Sequence, residues 1–364
     1  MTTPSDTIWN IEPHTLAKHE ILRRYLVAWF PILCRYNPKV VYIDGFCGPG
    51  RYLGGEPGSP IIALEEALKH NERLQTNDLV FLFFDERSDR IKHLKSELDS
   101  LVLPKNFSAL PVTGDFEKNL RDLLDNLDKS GSQLAPTFAF IDPFGFKGLP
   151  LDLVCRLLKN QKTEVFITFM VDSINRFREH PDQKIRHNIV ELFGTSEVLS
   201  ITMSEGKRIH NLRMLYQAQL KKCAKFVRYF EMRDGNNRPI YYLFFATNHP
   251  LGLVKMKEAF WKVDSSSGFS FSDATNPDQL VLFDIDETGK LITDLKLHFS
   301  GKTLKVEEIR KYVENETPFL SKHMTTALKS LEQNQQISVD TIKSNGVKRR
   351  KNTYPNEAII SFGS

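Results

Sequence analysis

Four short apolar runs of the chain each lead into an acid: VVYI into Asp44, LVFLFF into Asp85, LPVTG into Asp115 and TFAFI into Asp142. Continuous rather than alternating apolar residues are expected of strands buried on both faces, as in a parallel sheet. Acids at the carboxyl ends of successive parallel strands face one crevice, where open α/β sheets hold their ligands. A glycine-rich turn, Gly45-Phe46-Cys47-Gly48-Pro49-Gly50, follows the first acid directly. Weighed against the dinucleotide fingerprint G-x-G-x-x-G, Gly48 and Gly50 supply two glycines, but Leu53 stands at the third position. That fingerprint also wants an acid about 20 residues on. Asp85 lies 41 residues after Asp44, so a nicotinamide dinucleotide is disfavoured.

An acid-first loop, D-x-F-x-G-x-G, suits S-adenosyl-L-methionine instead. Small residues at Gly45, Gly48 and Gly50, with Phe46 between them, let backbone approach a methionine moiety, and Asp44 can accept from its ammonium group. Asp85, ending the second strand, can hold ribose hydroxyls, and Asp115, after the third, can meet the adenine amine. Singly, a strand-end acid is more often a helix cap, and Asp115 directly precedes Phe116-Glu117-Lys118 as a cap would. The ordered set, spaced by 30 residues from 85 to 115 and 27 from 115 to 142, favours the cofactor reading.

The fourth acid opens Asp142-Pro143-Phe144-Gly145-Phe146. This resembles the D-P-P-Y loop of nucleic-acid amino methyltransferases, in which an acid and a backbone carbonyl hold the target amine and an aromatic ring stacks on a flipped base. Phe144 replaces the second proline, Gly145 stands at the aromatic position, and Phe146 follows one place later. Asp142 and Pro143 would orient the acceptor, and Phe144 or Phe146 would stack. Asn175 and Arg176, in VDSINRFREH after the fifth strand, stand where such folds often meet substrate; a solvated helix face is the alternative. Lys18 and His19 are placed either over the cofactor mouth or on an exposed face. Glu56 to Pro60 can start a helix, with Ser59 as N-cap and Pro60 at N1, or close the cofactor loop.

The elements that must position these residues alternate. A helical stripe runs from His14 to Phe30, ended by Pro31 and Asn37-Pro38. Helical stretches at Pro60–Leu74, Ser88–Leu101, Phe116–Leu127 and Leu151–Leu158 separate the strands, with a fifth strand at 164–170 and a sixth at 239–248. This predicts a doubly wound α/β sheet of the class I methyltransferase (Rossmann-like) type over 1–284, with a helical insertion from Asp172 to about Lys225. Near Asp284–Gly289 the chain changes character. Helices over 305–315 and 321–334, then a hairpin turning at Asn345-Gly346, predict a winged helix-turn-helix over 290–364. Its wing carries Lys343, Lys348, Arg349, Arg350 and Lys351. Phosphate contacts supply most of the affinity in nucleic-acid binding, so Lys348, Arg349 and Arg350 are candidate phosphate grips.

The bulk numbers constrain little else. With 364 residues, 41% hydrophobic and 26% charged, the chain reads as an ordinary globular protein, and a net charge of +4 neither demands nor excludes nucleic acid. Cys34, Cys47, Cys155 and Cys223 are scattered and form no C-x-x-C pair, so reduced thiols and no metal site are expected. No basic, apolar leader opens the chain and no apolar run approaches the ~20 residues of a membrane span, which makes a cytoplasmic protein the default expectation.

YIDGFCGPGRY, GEPGSPIIAL, FIDPFGF and YYLFFATNH together resemble the three-Cys-motif partner protein (TcmP) family, over roughly Lys18 to Asp264. The resemblance implies a methyltransferase-like bacterial protein encoded beside a protein with a three-cysteine motif of radical-enzyme type. The cysteines of the name belong to that partner. The first loop is also similar to the D-x-x-A-G-x-G-R-Y of a ribosomal-RNA adenine-N6 methyltransferase family, with Cys47 where alanine is common. The resulting expectation is an S-adenosylmethionine-dependent methyltransferase acting on a nucleobase of DNA or RNA. The alternative is a catalytically inactive, nucleic-acid-binding accessory protein of the same partner.

Overall fold

The computed structural model describes residues 5–160, 162–201, 205–265, 267–273, 288–342 and 346–363. The chain divides into two compact units, Met1–Ala259 with Ser270–Asn276, and Phe260–Phe269 with Pro277–Ser364. No described helix is long and apolar enough to cross a membrane.

The first unit opens with α1 (Pro13–Cys34), which buries Ile21, Leu22, Tyr25, Leu26, Trp29 and Phe30. This helix continues through Pro31, the residue expected to end it. A proline there removes the amide that would bond the Val27 carbonyl; a ring nitrogen of His70 stands 3.0 Å from that oxygen instead. Strand and helix then alternate through β1 (Lys39–Asp44), α2 (Ser59–Leu68), α3 (Asn71–Leu74), β2 (Asp78–Asp85), α4 (Ser88–Asp99) and β3 (Phe107–Thr113). The alternation continues with α5 (Phe116–Lys129), β4 (Thr137–Ile141), α6 (Leu151–Leu158) and β5 (Thr163–Phe169). An insertion follows, of α7 (Val171–Phe177), α8 (Gln183–Phe193) and α9 (Glu205–Leu220). The unit closes on β6 (Phe226–Arg233), β7 (Pro239–Thr247), α10 (Pro250–Val263) and β8 (Ser270–Ser272), the division between units falling within α10.

The eight strands lie in the order β3-β2-β1-β4-β5-β7-β6-β8. The first five are parallel, and β7 runs antiparallel to both β5 and β6. That order with a reversed β7 is the doubly wound sheet of class I methyltransferases. The strand β6 was not anticipated: FVRYFEMR mixes charge into its run, because a strand near the sheet edge need bury only one face.

Strand pleating sorts the side chains. Val41, Ile43, Ala139, Ile141, Val165 and Ile167 join the core beneath α5, α6 and α9. The alternate residues Tyr42, Phe138, Phe140 and Phe166 lie on the other face, where the Tyr25 ring of α1 sits 5.1 Å from Phe138. The Tyr25 hydroxyl also donates to the buried Glu164 at 2.6 Å, which accepts from Thr247 at 2.9 Å. These bonds tie α1 to β5 and β7, and so fix where its amino-terminal turns reach.

The structure overturns one cysteine expectation. Cys155 of α6 and Cys223, just past α9, form a disulfide with a Cα–Cα distance of 5.1 Å, while Cys34 and Cys47 are free and buried. Their sequence separation of 68 hides a proximity that only the packing of the insertion against α6 creates. A bridge closing a loop of this size stabilises by about 2–4 kcal/mol, chiefly through the unfolded chain. Reduction, or replacement of both cysteines by serine, is expected to lower the urea midpoint, with the denaturant slope rising as the unfolded chain becomes less compact. Equal midpoints with and without reductant would show that the bridge contributes nothing.

The second unit comprises α11 (Thr288–Phe299), β9 (Thr303–Lys305), α12 (Val306–Glu316), α13 (Ser321–Gln333), β10 (Ile337–Val339) and β11 (Ile359–Phe362). The strands form an antiparallel sheet in the order β10-β11-β9. Leu291, Leu295, Val306, Ile309, Met324 and Leu328 form its core. This is a winged helix-turn-helix with one helix, α11, that was not foreseen. The expected boundary at Asp284 and the wing residues Lys343 and Asn345 lie outside the described residues. A bridge between Ile342 and Lys348 flanks the expected turn.

Candidate cofactor and acceptor site

The loop after β1 is held from both sides. Gly45 donates to the Phe140 carbonyl at 2.9 Å and Cys47 to that of Phe84 at 2.9 Å. A Cβ on Gly45 would stand 3.0 Å from the Phe116 ring, and one on Gly50, at φ +90°, 2.8 Å from Leu94. The φ of Gly50 favours glycine there, and a side chain at Gly45 would have to displace the Phe116 ring. Gly58 returns to donate to the Gly50 carbonyl at 2.7 Å, so Glu56–Pro60 does close the loop onto itself. Gly58, not Ser59, is the N-cap of α2. The Ser59 hydroxyl instead lies near enough to Asp44 to favour its ionised form.

Asp44 lies wholly buried under this loop, accepting from the Phe46 amide at 3.3 Å. Burial pushes its carboxyl up to about 7, against the opposing pull of Ser59 and the Phe46 amide. Enclosed in this way, it braces the loop rather than facing open space. Asp85 accepts from Gly48 at 3.1 Å and Arg87 at 2.8 Å, with Arg90 3.8 Å away. Burial raises its carboxyl above the ordinary range.

Two cavities adjoin the loop. One, of about 290 Å³, is walled by Phe46, Gly48, Gly50, Asp142, Pro143 and Phe144, with α1 residues opposite. The other, of about 320 Å³, is walled by Phe46, Asp85, Arg90, Pro143, Phe144 and Phe146. The structure thus gathers half of the expected site residues onto two walls that share Phe46, Pro143 and Phe144, with Asp44 beneath the loop and Gly45 within it. It leaves Asp115 off both: β3 ends two residues earlier, and the carboxylate caps α5, accepting from Lys118 at 2.8 Å. Asn175 and Arg176 of α7 also stand off both walls, and Arg176 pairs with Asp172 at 2.5 Å. The Phe146 ring leans on Phe177 at 5.9 Å.

Asp142 forms an ion pair with Lys18, whose side chain is only 6% exposed. Lys18 and His19, for which an exposed face was the alternative, are both buried on the first cavity's wall. Burial, and secondarily the Lys18 charge, lower the His19 imidazole to about 3, so it is neutral. Sequence reading missed Trp9, Tyr52, Arg90, Thr168 and Tyr241. The Trp9 ring lies 5.6 Å from Tyr52 and 5.9 Å from Phe144, and the Arg90 guanidinium sits 4.7 Å from its centre. Nothing local in the opening segment signals this. Thr168 did carry a signal, as the one hydroxyl within the apolar VFITFM.

On the winged unit, Lys348 and Arg350 are exposed. Arg349 is not available as a phosphate grip in this arrangement. Its side chain is 5% exposed, pairs with Glu332 at 2.6 Å and donates to the Thr353 carbonyl at 3.0 Å.

The strand order and the loop architecture define a methyltransferase-type fold carrying a winged helix. A family model for the GMT-like wHTH domain matches residues 268–344. Comparison with curated proteins gives no match. Among solved structures, the chain is similar to Trm1 from Pyrococcus horikoshii in complex with S-adenosyl-L-methionine, at 13% identity and a TM-score of 0.36. That match covers 72% of this chain and 62% of the other, less than two-thirds of the latter's length. It is similar to human Methyltransferase-like protein 13 in complex with SAH at 8% identity and TM-score 0.35, covering 74% and 97% of the two chains. A third, SAH-bound PaMTH1 of Podospora anserina, matches at 9% identity and TM-score 0.29, over 66% and 89%. At these values the likeness says nothing of substrate.

Proposed function

We propose that the protein is an S-adenosylmethionine-dependent methyltransferase acting on the amino group of a nucleobase in DNA or RNA, working with a co-encoded three-Cys-motif protein. The observation that carries this reading is the Lys18–Asp142 pair on a cavity wall beside the braced glycine loop. Gly48 and Gly50 leave room for the methionine part, with Asp44 holding the loop's shape. Asp85, on the wall of the second cavity, would hold ribose hydroxyls, while Asp115 caps α5 off both walls. When bound, the cofactor supplies a sulfonium methyl that passes to the amine nitrogen as its S–C bond breaks and an amine proton leaves to water. The chain's own part is positioning. Asp142 accepts from the acceptor amine, Lys18 keeps that carboxylate oriented, and Phe144 and Phe146 supply stacking surfaces.

Transfer of labelled methyl to bacterial DNA and RNA, with and without the partner, tests the reading. Label in one of them is expected. Cofactor binding with no label in either would sink it. The accessory alternative draws on one observation: Phe144, held edge-on to Trp9 with the Arg90 guanidinium over its ring, belongs to both cavity walls and occupies part of the space an acceptor base would need.

For the winged unit, Lys348→Ala or Arg350→Ala is expected to weaken binding alike on all sequences and to reduce the salt slope by about one each. Arg349→Ala should instead lower the melting temperature, because it removes the ion pair with Glu332 and the bond to the Thr353 carbonyl. Nucleic-acid affinity that falls only with Arg349 would reverse these assignments.

A further inference from the structure

The cavity beside Asp142 holds more polar groups than its internal bonds use. Lys18 pairs with Asp142, and the Tyr241 hydroxyl donates to the His14 carbonyl at 3.2 Å. Three buried atoms on the same wall have no hydrogen-bond partner: Thr168 Oγ1, His19 Nδ1 and His14 Nε2, of which only the last has an ion-pair partner, Glu12 at 2.9 Å. Thr168 is 2% exposed and His19 5%. A buried polar atom left unpaired carries its full desolvation penalty, and such atoms in native structures call for an explanation.

Their place in the sheet indicates which ligand they meet. The cofactor loop and Asp85 belong to β1 and β2, and Asp142 follows β4. In the order β2-β1-β4-β5-β7, Thr168 on β5 lies beyond Asp142, on the side away from Asp85. It shares the parity of Phe166, whose face α1 covers, and α1 brings His19 to the same wall. We propose that Thr168 and His19 read the ring edge of the acceptor base, donating to the ring nitrogen that flanks the amine held by Asp142. This deepens the methyltransferase reading and rests on it.

The chemistry selects a class of acceptor. A hydroxyl and a neutral imidazole each offer one donor and one acceptor. Adenine, cytosine and guanine each present a ring nitrogen next to an exocyclic amine, while thymine and uracil present no such amine. A carboxylate for the amine and a hydroxyl or imidazole N–H for the ring nitrogen together match that N=C–NH₂ edge. Removing a donor a site is built around discriminates far more than removing a methylene does.

The test compares Thr168→Val, Thr168→Ser and His19→Leu in the full chain, with bacterial RNA and genomic DNA as methyl acceptors. Thr168→Val is expected to cut transfer at saturating cofactor roughly tenfold or more, with Thr168→Ser restoring it and melting unchanged or higher because an unpaired atom has gone. Calorimetric affinity for S-adenosylmethionine should stay at the wild-type value in all three. Wild-type-level transfer by both Thr168→Val and His19→Leu overturns the proposal and leaves the methyltransferase reading standing. Loss of cofactor affinity instead assigns the two residues to the cofactor. Absence of transfer by the wild-type protein, with cofactor bound, removes both readings together.

Discussion

Replacing Asp142 by alanine is expected to lower methyl transfer about 100-fold or more, the scale on which a mispositioned acceptor loses rate. The same change strands the buried Lys18 ammonium. Breaking a buried pair costs about 3–5 kcal/mol, and because Asp142 is itself 23% exposed, a loss near the lower end is expected. The two effects separate in the double variant Lys18→Met with Asp142→Ala, which removes the uncompensated charge. Its melting temperature should return toward the wild-type value while transfer stays low. Transfer that recovers along with stability would mean that Asp142 serves the fold and not the acceptor.

The second large effect concerns Asp44 and pH. In the unfolded chain its carboxyl ionises at the ordinary 3.8, whereas burial lifts it to about 7 in the folded protein. Between those values the folded state binds more protons than the unfolded one. Stability from this group is therefore greatest below pH 4, falls as pH rises to about 7, and is flat beyond. The penalty at pH 8 is about 4 kcal/mol in the limit of full burial. Asp44→Asn keeps an oxygen for the Phe46 amide and loses the buried charge, so at pH 8 it should be more stable than wild type by about 2–4 kcal/mol. Denaturant midpoints measured from pH 4 to 8 should converge at the acid end. A variant that melts below wild type at pH 8 would show that the ionised carboxylate is well solvated or paired after all.

The α/β alternation, the class of sheet and the winged tail were legible because buried parallel strands must be continuously apolar and because helix and hairpin periods differ. The acids at or just past the strand ends were legible for the same reason, although a single such acid is as readily a helix cap, which Asp115 proved to be. Thr168 escaped notice since a single hydroxyl in VFITFM reads as a β-branched strand former until α1 is laid over it. Arg349 was misread because a basic run looks solvated, and only folding brings Glu332 and Tyr354 beside it.

By itself, then, the sequence determined the strand ends and their acids, since these follow from local polarity and period. Tertiary structure alone decided which of those acids face a cavity. Asp142 meets Lys18 across 124 residues, Cys155 meets Cys223 across 68, and Trp9 reaches the ring of Phe144. Each is a contact between segments distant in the chain, brought together by packing that no local pattern encodes.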